Sequence, residues 1–287
     1  MRRHHAMWVV AIAAVLGVTG CGLTWMQTRE TYAPGTIPLG VAPQGIAVDA
    51  RAGRVFIANA GIDGSERTVS VLDSRTGRLI QTVSVGQGPQ SVAVNERTGR
   101  LFVADYMRGR VSVIDTRSGA LLSTAIVGSH PLRLSVDPQT ARVFVVNQGS
   151  TSPADRPTGA GSVTMLDAHT GAVLRTVTLD IDAVAVALDE RRGLVLVTTA
   201  GPTTIPENGP SRKGKLFVLD ARSGAIQRVL PVGVGPYAIA EDTRAGQAFV
   251  VNSLGNGGSY NGPSAWYLQW LPHHPPKGTV SIINVTR

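Results

Sequence analysis

The stretch PQGIAVDARAGRVFIAN (residues 43–59) decides the fold, because it recurs four more times along the chain. The aligned copies are PQSVAVNERTGRLFVAD (89–105), PLRLSVDPQTARVFVVN (131–147), AVAVALDERRGLVLVTT (183–199) and PYAIAEDTRAGQAFVVN (236–252). They align without a gap, and apolar residues alternate on either side of a central turn. This alternation, with Asp or Asn opening the turn, predicts a pair of antiparallel strands in each copy.

Each copy is followed by a second alternating segment, which reads TVSVLD, RVSVID, SVTMLD, KLFVLD or TVSIIN. The first four of these segments continue through a turn such as DSRTGR into a further strand. Repeated units of four short strands indicate propeller blades. We therefore predict an all-β fold, a five-bladed β-propeller of four-stranded antiparallel blades.

The motifs FIAN, FVAD and FVVN, followed by VSVID and TG turns, resemble the YVTN-type β-propeller repeat family. The resemblance covers nearly all of residues 35–287, and it implies that this range is one propeller domain.

Length variation is confined to one type of loop. The repeats start 46, 42, 52 and 53 residues apart, while the loops after the second strand hold 8, 4, 14 and 15 residues in the first four units. Subtracting each loop from its period leaves 38 residues every time, and the fifth loop holds 26 residues. In a propeller these loops share one face with the connections between blades. We call it the variable-loop face and expect function there, because sites are usually built from loops on a rigid frame.

The fifth unit ends one strand short, at TVSIINVTR. The segment GTIPLG (35–40) precedes the first unit and matches the end of an outer strand. We predict that this N-terminal strand completes the last blade and so removes an open sheet edge.

The N-terminus reads as an export signal, because Arg2 and Arg3 precede an apolar run that is too short to span a bilayer. The run ends in VTGC, which resembles the bacterial lipobox, so residues 1–20 are predicted to be a lipoprotein signal peptide and Cys21 the lipidated residue. Residues 21–34 would form a tether. The predicted location is the bacterial cell envelope, either in the periplasm or at the cell surface. In a bacterium with two membranes, the outer membrane is the predicted site of the anchor.

Departures from the repeat are candidate ligand-binding residues. His130 and Arg133 place an imidazole and a guanidinium at the start of the third unit, where the other units carry small residues or Asp182. Such a pair can bind a carboxylate or phosphate. The alternative is that Arg133 pairs with Asp180 or Asp182 of the neighbouring blade.

The last and longest variable loop contains AWYLQWLPHHPP (265–276) and concentrates the aromatic residues. Its candidate partner-binding residues are Tyr260, Trp266, Tyr267 and Trp270. These rings either recognise a partner or cap the channel. The adjacent His273 and His274 lack a third ligand at metal-binding spacing, so no metal site is predicted.

The leading functional hypothesis is a noncatalytic, lipid-anchored binding or scaffold module for a protein, peptide or glycan. The protein is expected to be a monomer. No cofactor is expected, because no cofactor motif is present. Specific nucleic-acid binding is not expected despite the net charge of +8, because the arginines are spread over the turns. The alternative is a propeller hydrolase, lactonase-like or glycan-cleaving, whose candidate acids are Asp63, Glu66, Asp105, Asp155, Asp180, Asp182 and Glu207.

Overall fold

A computed structural model describes residues 36–61, 65–149, 160–179, 182–200, 213–253 and 278–285. Nineteen β-strands and one 3-10 turn, Tyr106–Arg108, are present in these residues. The strands form five antiparallel sheets within a compact unit, Leu39–Arg287. The predicted all-β, five-bladed propeller is confirmed.

The strands follow chain order within each blade, from the inner to the outer strand. Blade one contains β1 (Pro43–Asp49), β2 (Arg54–Asn59), β3 (Thr68–Asp73) and β4 (Leu79–Ser84). Blade two contains β5 (Pro89–Asn95), β6 (Arg100–Asp105), β7 (Arg110–Asp115) and β8 (Leu121–Ile126). Blade three contains β9 (Pro131–Asp137), β10 (Arg142–Asn147), β11 (Ser162–Asp167) and β12 (Val173–Thr178). Blade four contains β13 (Ala183–Asp189), β14 (Leu194–Thr199), β15 (Lys215–Asp220) and β16 (Ile226–Pro231). Blade five contains β17 (Pro236–Asp242), β18 (Gln247–Asn252) and β19 (Thr279–Asn284).

Blade five thus has three strands in the described part of the chain. Residues 36–39 are not assigned to a strand, and Gly35 lies outside the described residues, so the outer strand predicted from 35–40 is not observed. The sequence offers a physical reason. Aligned on the outer strand of blade four, Pro34 and Gly35 fall where Gln227 and Arg228 stand, and proline and glycine both weaken strand pairing.

The hydrophobic core lies between consecutive blades. Phe56, Val69 and Val71 of blade one pack against Val92 and Val103 of blade two. Three further clusters repeat this arrangement along the chain. Because two sheet faces bury each other at every junction, the frame provides rigid ends on which loops of different length can be mounted.

The repeated aspartates hold the tight turns. Asp73 accepts hydrogen bonds from the backbone N–H of Thr76 (2.7 Å) and from its hydroxyl (2.7 Å). The hydroxyl and backbone donors of Thr76 lower the pKa of Asp73. Asp115 makes the same two contacts with Ser118 (both 2.8 Å). Recurring acids at these positions therefore stabilise turns, as their recurrence in the sequence predicts.

Candidate functional site on the variable-loop face

Five equivalent hydrogen bonds show which chain segments share the variable-loop face. In each blade the residue after the second strand donates its N–H to the carbonyl just before the inner strand. The pairs are Ala60 to Ala42, Tyr106 to Gly88, Gln148 to His130, Ala200 to Asp182 and Ser253 to Gly235, at 2.8–3.2 Å. The variable loops and the connections between blades therefore begin side by side at the same end of every sheet.

Polar side chains from neighbouring blades meet at this end. The rings of Tyr106 and His130 are in contact, with centroids 4.8 Å apart and planes tilted by 45°. The Tyr106 hydroxyl lies 3.1 Å from Oε1 of Gln148 and donates to it. Because Tyr106 comes from blade two and the other two residues from blade three, the contact spans a blade junction. We call Tyr106, His130, Gln148 and Asp182 the polar cluster.

Asp182 belongs to the cluster through its charge, which contributes to raising the pKa of Tyr106 after the larger effect of burial. Burial also raises the pKa of Asp182 itself, to about 6. The carboxyl group therefore changes charge between about pH 5 and 7, and the cluster can both donate and accept hydrogen bonds there.

The orientation of His130 is fixed by its backbone and by one hydrogen bond. Its Nδ1 lies 2.8 Å from the carbonyl oxygen of Gly149, and a carbonyl only accepts, so Nδ1 carries the proton. Nε2 is then the ring nitrogen available to a ligand. His130 also has a positive φ of 54°, as do its equivalents Ala42 (48°), Gly88 (65°) and Gly235 (63°), so this backbone conformation belongs to the repeat.

Arg133 lies on the inner strand β9, opposite Val146. Its guanidinium donates to the carbonyl of Leu132 at 3.1 Å. Across the described residues the ion pair found is Arg192 with Asp189, so the alternative pairing of Arg133 with Asp182 is not formed. Asp180 lies outside the described residues. No hydrogen bond or ion pair joins Arg133 to the polar cluster in the described part of the chain, so joint action of His130 and Arg133 stays a prediction.

Asp105 occupies a structural position that the blades repeat. It ends β6 at the position where Asn59, Asn147 and Asn252 end their strands. Asn147 donates to the hydroxyls of Ser162 and Thr164, both at 3.0 Å, whereas Asp105 accepts from Ser112 at 3.0 Å. Burial raises the pKa of Asp105 to about 6. This residue is a charged variant of a repeated structural position.

The structure describes three of the seven acids that were candidates for a hydrolase site. Glu66, Asp105 and Asp182 are described, whereas Asp63, Asp155, Asp180 and Glu207 lie outside the described residues. Within the described ranges no three His, Cys, Asp or Glu side chains are grouped closely enough to hold a metal ion.

The remaining predicted site residues, Cys21, Tyr260, Trp266, Tyr267 and Trp270, lie outside the described residues. No helix within the described ranges is long and apolar enough to cross a membrane.

Sequence reasoning missed Tyr106 and Gln148. Each is the first residue after a repeated second strand, and therefore the first position at which a variable loop departs from the frame. This position in the repeat alignment was the signal that could have identified the two residues. The side chains that approach one another across a junction depend on blade packing, which no single repeat encodes. A cavity also opens at the opposite, tight-turn end, where Glu96, Arg97, Pro138 and Glu190 contribute to its lining.

The comparisons with known proteins concern the fold. Neither a protein-family model nor a curated protein matches the sequence. Hydrazine synthase of Kuenenia stuttgartiensis is similar in structure, with a TM-score of 0.64 and 17% identity over 89% of this chain and 67% of that chain. The β-propeller domain of Cps50 (Swd1) from Myceliophteria thermophila has a TM-score of 0.58 and 12% identity over 77% of this chain and 65% of that chain. At these identities the similarity shows a shared propeller fold, and activity does not follow from it.

Proposed function

We propose that the protein is a noncatalytic, lipid-anchored binding module of the bacterial envelope, with the variable-loop face as its binding surface. The observation that carries the proposal is the polar cluster. Four nonrepeated polar groups from three successive blades lie at the end of the frame that also bears every loop of variable length.

The chemistry of the cluster suits a peptide or a glycan. Tyr106 offers a half-buried ring, and His130 and Gln148 offer hydrogen-bonding groups on a scaffold that strand pairing holds in place. Aromatic rings with adjacent donors and acceptors are typical of surfaces that bind amphipathic partners. The aromatic residues of the 253–278 loop, Trp266, Tyr267 and Trp270 among them, would extend this surface.

The envelope location is carried by the sequence Val18-Thr19-Gly20-Cys21 and the preceding export signal. Lipidation of Cys21 would hold the module at a membrane surface, the outer membrane in a bacterium with two. The anchor is tested by Cys21→Ser, which should abolish labelling by radioactive palmitate and release the chain from the membrane fraction. A variant that stays membrane-bound and uncleaved would contradict lipid anchoring.

The binding surface is tested by capture of solubilised envelope proteins and of cell-wall glycans. We expect His130→Ala to weaken capture about tenfold, in the range of a binding hot spot. The matched control is His169→Ala, because His169 is exposed in a tight turn at the other end of the sheets. Equal capture by both histidine variants would contradict the assignment of the polar cluster.

The charge state of Asp182 gives a second test. An ionised carboxylate accepts hydrogen bonds from a ligand, and Asp182 is protonated below its raised pKa of about 6. Capture should therefore weaken between pH 7 and pH 5, and Asp182→Asn should remove this pH dependence. A pH dependence of unchanged size in the Asn variant would refute a role for Asp182 in binding.

The hydrolase alternative differs in what it requires. It needs an unrepeated pair or triad of acids, and the structural role of Asp105 removes one described candidate. Turnover of a chromogenic lactone or glycoside that is lost in Asp182→Asn would favour the hydrolase over the binding module.

A further inference from the structure

The four residues of the polar cluster occupy only two positions of the repeat. His130 and Asp182 each precede an inner strand, and Tyr106 and Gln148 each follow a second strand. They belong to blades two, three and four, whose inner strands pack on one another in that order. The remaining residues at these two positions are small, namely Ala42, Gly88, Gly235, Ala60, Ala200 and Ser253. The cluster is therefore one continuous polar site with small residues on either side.

Internal hydrogen bonds occupy most of the donors of the cluster. The Tyr106 hydroxyl donates to Oε1 of Gln148 (3.1 Å), and Nδ1 of His130 donates to the carbonyl of Gly149 (2.8 Å). The groups left to accept from a ligand are Nε2 of His130, the Tyr106 oxygen and the Asp182 carboxylate. The side-chain amide of Gln148 is left as a donor. Acceptors thus outnumber donors, so the site fits a ligand group that donates several hydrogen bonds.

The carboxyl group of Asp182 also lacks a positive partner. Its side chain is half-buried, and within the described residues no ion pair to it forms. Burial raises the pKa of Asp182, and no positive charge in the described part of the chain counteracts that rise. A carboxylate that is partly buried and unpaired is energetically unfavourable, and a bound cation offsets this cost. The charge of the site therefore also favours a positively charged ligand.

The side chains of the cluster suit an ammonium group better than a metal ion. Within the described ranges no three His, Cys, Asp or Glu side chains are grouped closely enough to coordinate a metal. The half-buried ring of Tyr106 lies beside the acceptors, and the face of an aromatic ring attracts an ammonium group. An ammonium group carries three N–H donors and no acceptor. It can therefore satisfy a carboxylate, an imidazole nitrogen and an aromatic ring together.

We propose that the polar cluster recognises a protonated primary amine, with Asp182 as its counter-charge, Tyr106 as its aromatic surface and Nε2 of His130 as a further acceptor. This inference rests on the binding function proposed above and narrows it. The amine is supplied by a lysine side chain of a peptide or by an amino sugar of a glycan. A carboxylate or phosphate fits less well, because Asp182 carries charge of the same sign and Arg133 forms no hydrogen bond or ion pair with the cluster in the described residues.

Ligand pairs that differ only at the amine test the proposal. One pair is an end-blocked Gly-Gly-Lys-Gly-Gly peptide whose lysine is either free or acetylated. The other pair is a glucosamine tetramer and the corresponding N-acetylglucosamine tetramer. Titration calorimetry at pH 7, with the full-length chain in mild detergent, should show that an amine form binds at least about tenfold more tightly than its acetylated form. The pair that shows this preference identifies the source of the amine.

Three substitutions assign the preference to the cluster. Asp182→Asn keeps the size of the side chain and removes its charge, so it should abolish the preference for the amine. Tyr106→Phe should retain the preference, whereas Tyr106→Leu should weaken binding of the amine about fivefold because the aromatic face is lost. The matched control is Glu190→Gln, since Glu190 is an exposed acid at the opposite, tight-turn end, and it should bind like the unmodified chain. Thermal unfolding shows whether each variant is folded.

Equal affinity for the free and acetylated forms of both pairs, or a preference of unchanged size in Asp182→Asn, would overturn the proposal. A folded chain that binds neither amine form at millimolar concentration would overturn it as well. The proposed binding function is judged separately, by capture of envelope material with the unmodified chain and with His130→Ala. Capture that depends on His130, without any preference for an amine, would keep the binding surface and refute recognition of an amine.

Discussion

Replacing Glu241 by glutamine should stabilise the propeller at neutral and alkaline pH. Glu241 lies on β17, on the face toward blade four, where the equivalent positions of the other blades hold Val48, Val94, Val136 and Leu188. Both of its carboxyl oxygens are buried, and the Asp189 side chain is their hydrogen-bonding neighbour. A carboxyl group thus occupies a position that the repeat reserves for an apolar side chain.

The neighbouring blade makes this position less favourable for a charge. Asp189 is fully buried and is ion-paired with Arg192, with Nη1 and Oδ2 2.7 Å apart. Burial first, and then the adjacent Asp189, raise the pKa of Glu241 to about 8. Glu241 therefore keeps its proton in the folded protein at a pH where the unfolded chain has released it.

The direction in which pH changes the free energy of unfolding follows from the linkage between protonation and folding. A folded-state pKa above the unfolded value makes the free energy of unfolding greatest below about pH 4.5 and lowers it as the pH rises toward 8. The penalty at pH 8 is about 1–2 kcal/mol after allowance for solvent screening of a side chain that is only partly buried. Asp105 and Asp182, with pKa values raised to about 6, act in the same direction but complete their titration earlier.

The assay is urea unfolding of the unmodified chain and Glu241→Gln at half-unit steps from pH 5 to pH 9. The difference between the two should be small at pH 5 and should grow to about 1–2 kcal/mol in favour of glutamine by pH 8. Glu190→Gln is the control, because Glu190 is an exposed glutamate in the adjoining turn, and it should show no such growth. A Glu241→Gln variant with a constant difference, or with lower stability at pH 8, would refute the reasoning.

Three further changes test the frame by thermal or urea unfolding. Asp105→Asn should raise stability by about 1 kcal/mol at pH 8 and by less at pH 5, because the amide can donate to Ser112 and carries no charge; equal gains at both pH values would contradict this. Ala141→Gly should stabilise by about 1 kcal/mol, since Ala141 has a positive φ of 53° in a turn where other blades carry glycine, and a loss of stability would show that no strain is stored there. Phe102→Ala should destabilise by about 3–5 kcal/mol because its side chain is fully buried between blades two and three, and a change below 1 kcal/mol would mean that the junction repacks.

Most of the frame could be predicted because each blade carries its own pattern. Strand alternation, turn aspartates and turn glycines are local features, and the five sheets follow them closely. The outer strand predicted from residues 35–40 was the weakest element. It relied on the match of Pro38 to Pro231 and passed over Pro34 and Gly35, which remove an amide donor and a side chain from the pairing segment.

The site was less predictable because it depends on contacts between blades. His130 was found as a departure from the repeat, but its contact with Tyr106 across the junction is set by the packing of β6 against β9. Glu241 was visible in the alignment as an acid at an apolar position.

Blade four differs from other blades at two positions that are in contact elsewhere. In blades two, three and five a glycine before the inner strand lies against the side chain that ends the second strand. A Cβ on Gly128 would come within 2.8 Å of Asn147, and one on Gly233 would come within 2.5 Å of Asn252. Blade four changes both partners at once, with Asp180 for the glycine and Thr199 for the asparagine.

The shorter threonine removes the side chain that excludes a Cβ elsewhere, so these two substitutions are best understood as one. In the sequence, Asp180 and Asp182 both precede β13, and the carbonyl of Asp182 accepts from Ala200 at the end of the sheets that carries Tyr106 and His130. Blade four departs from the repeated asparagine–glycine contact at the point where its chain reaches the polar cluster. On the function proposed above, we expect the connection that contains Asp182 to contribute to the binding surface.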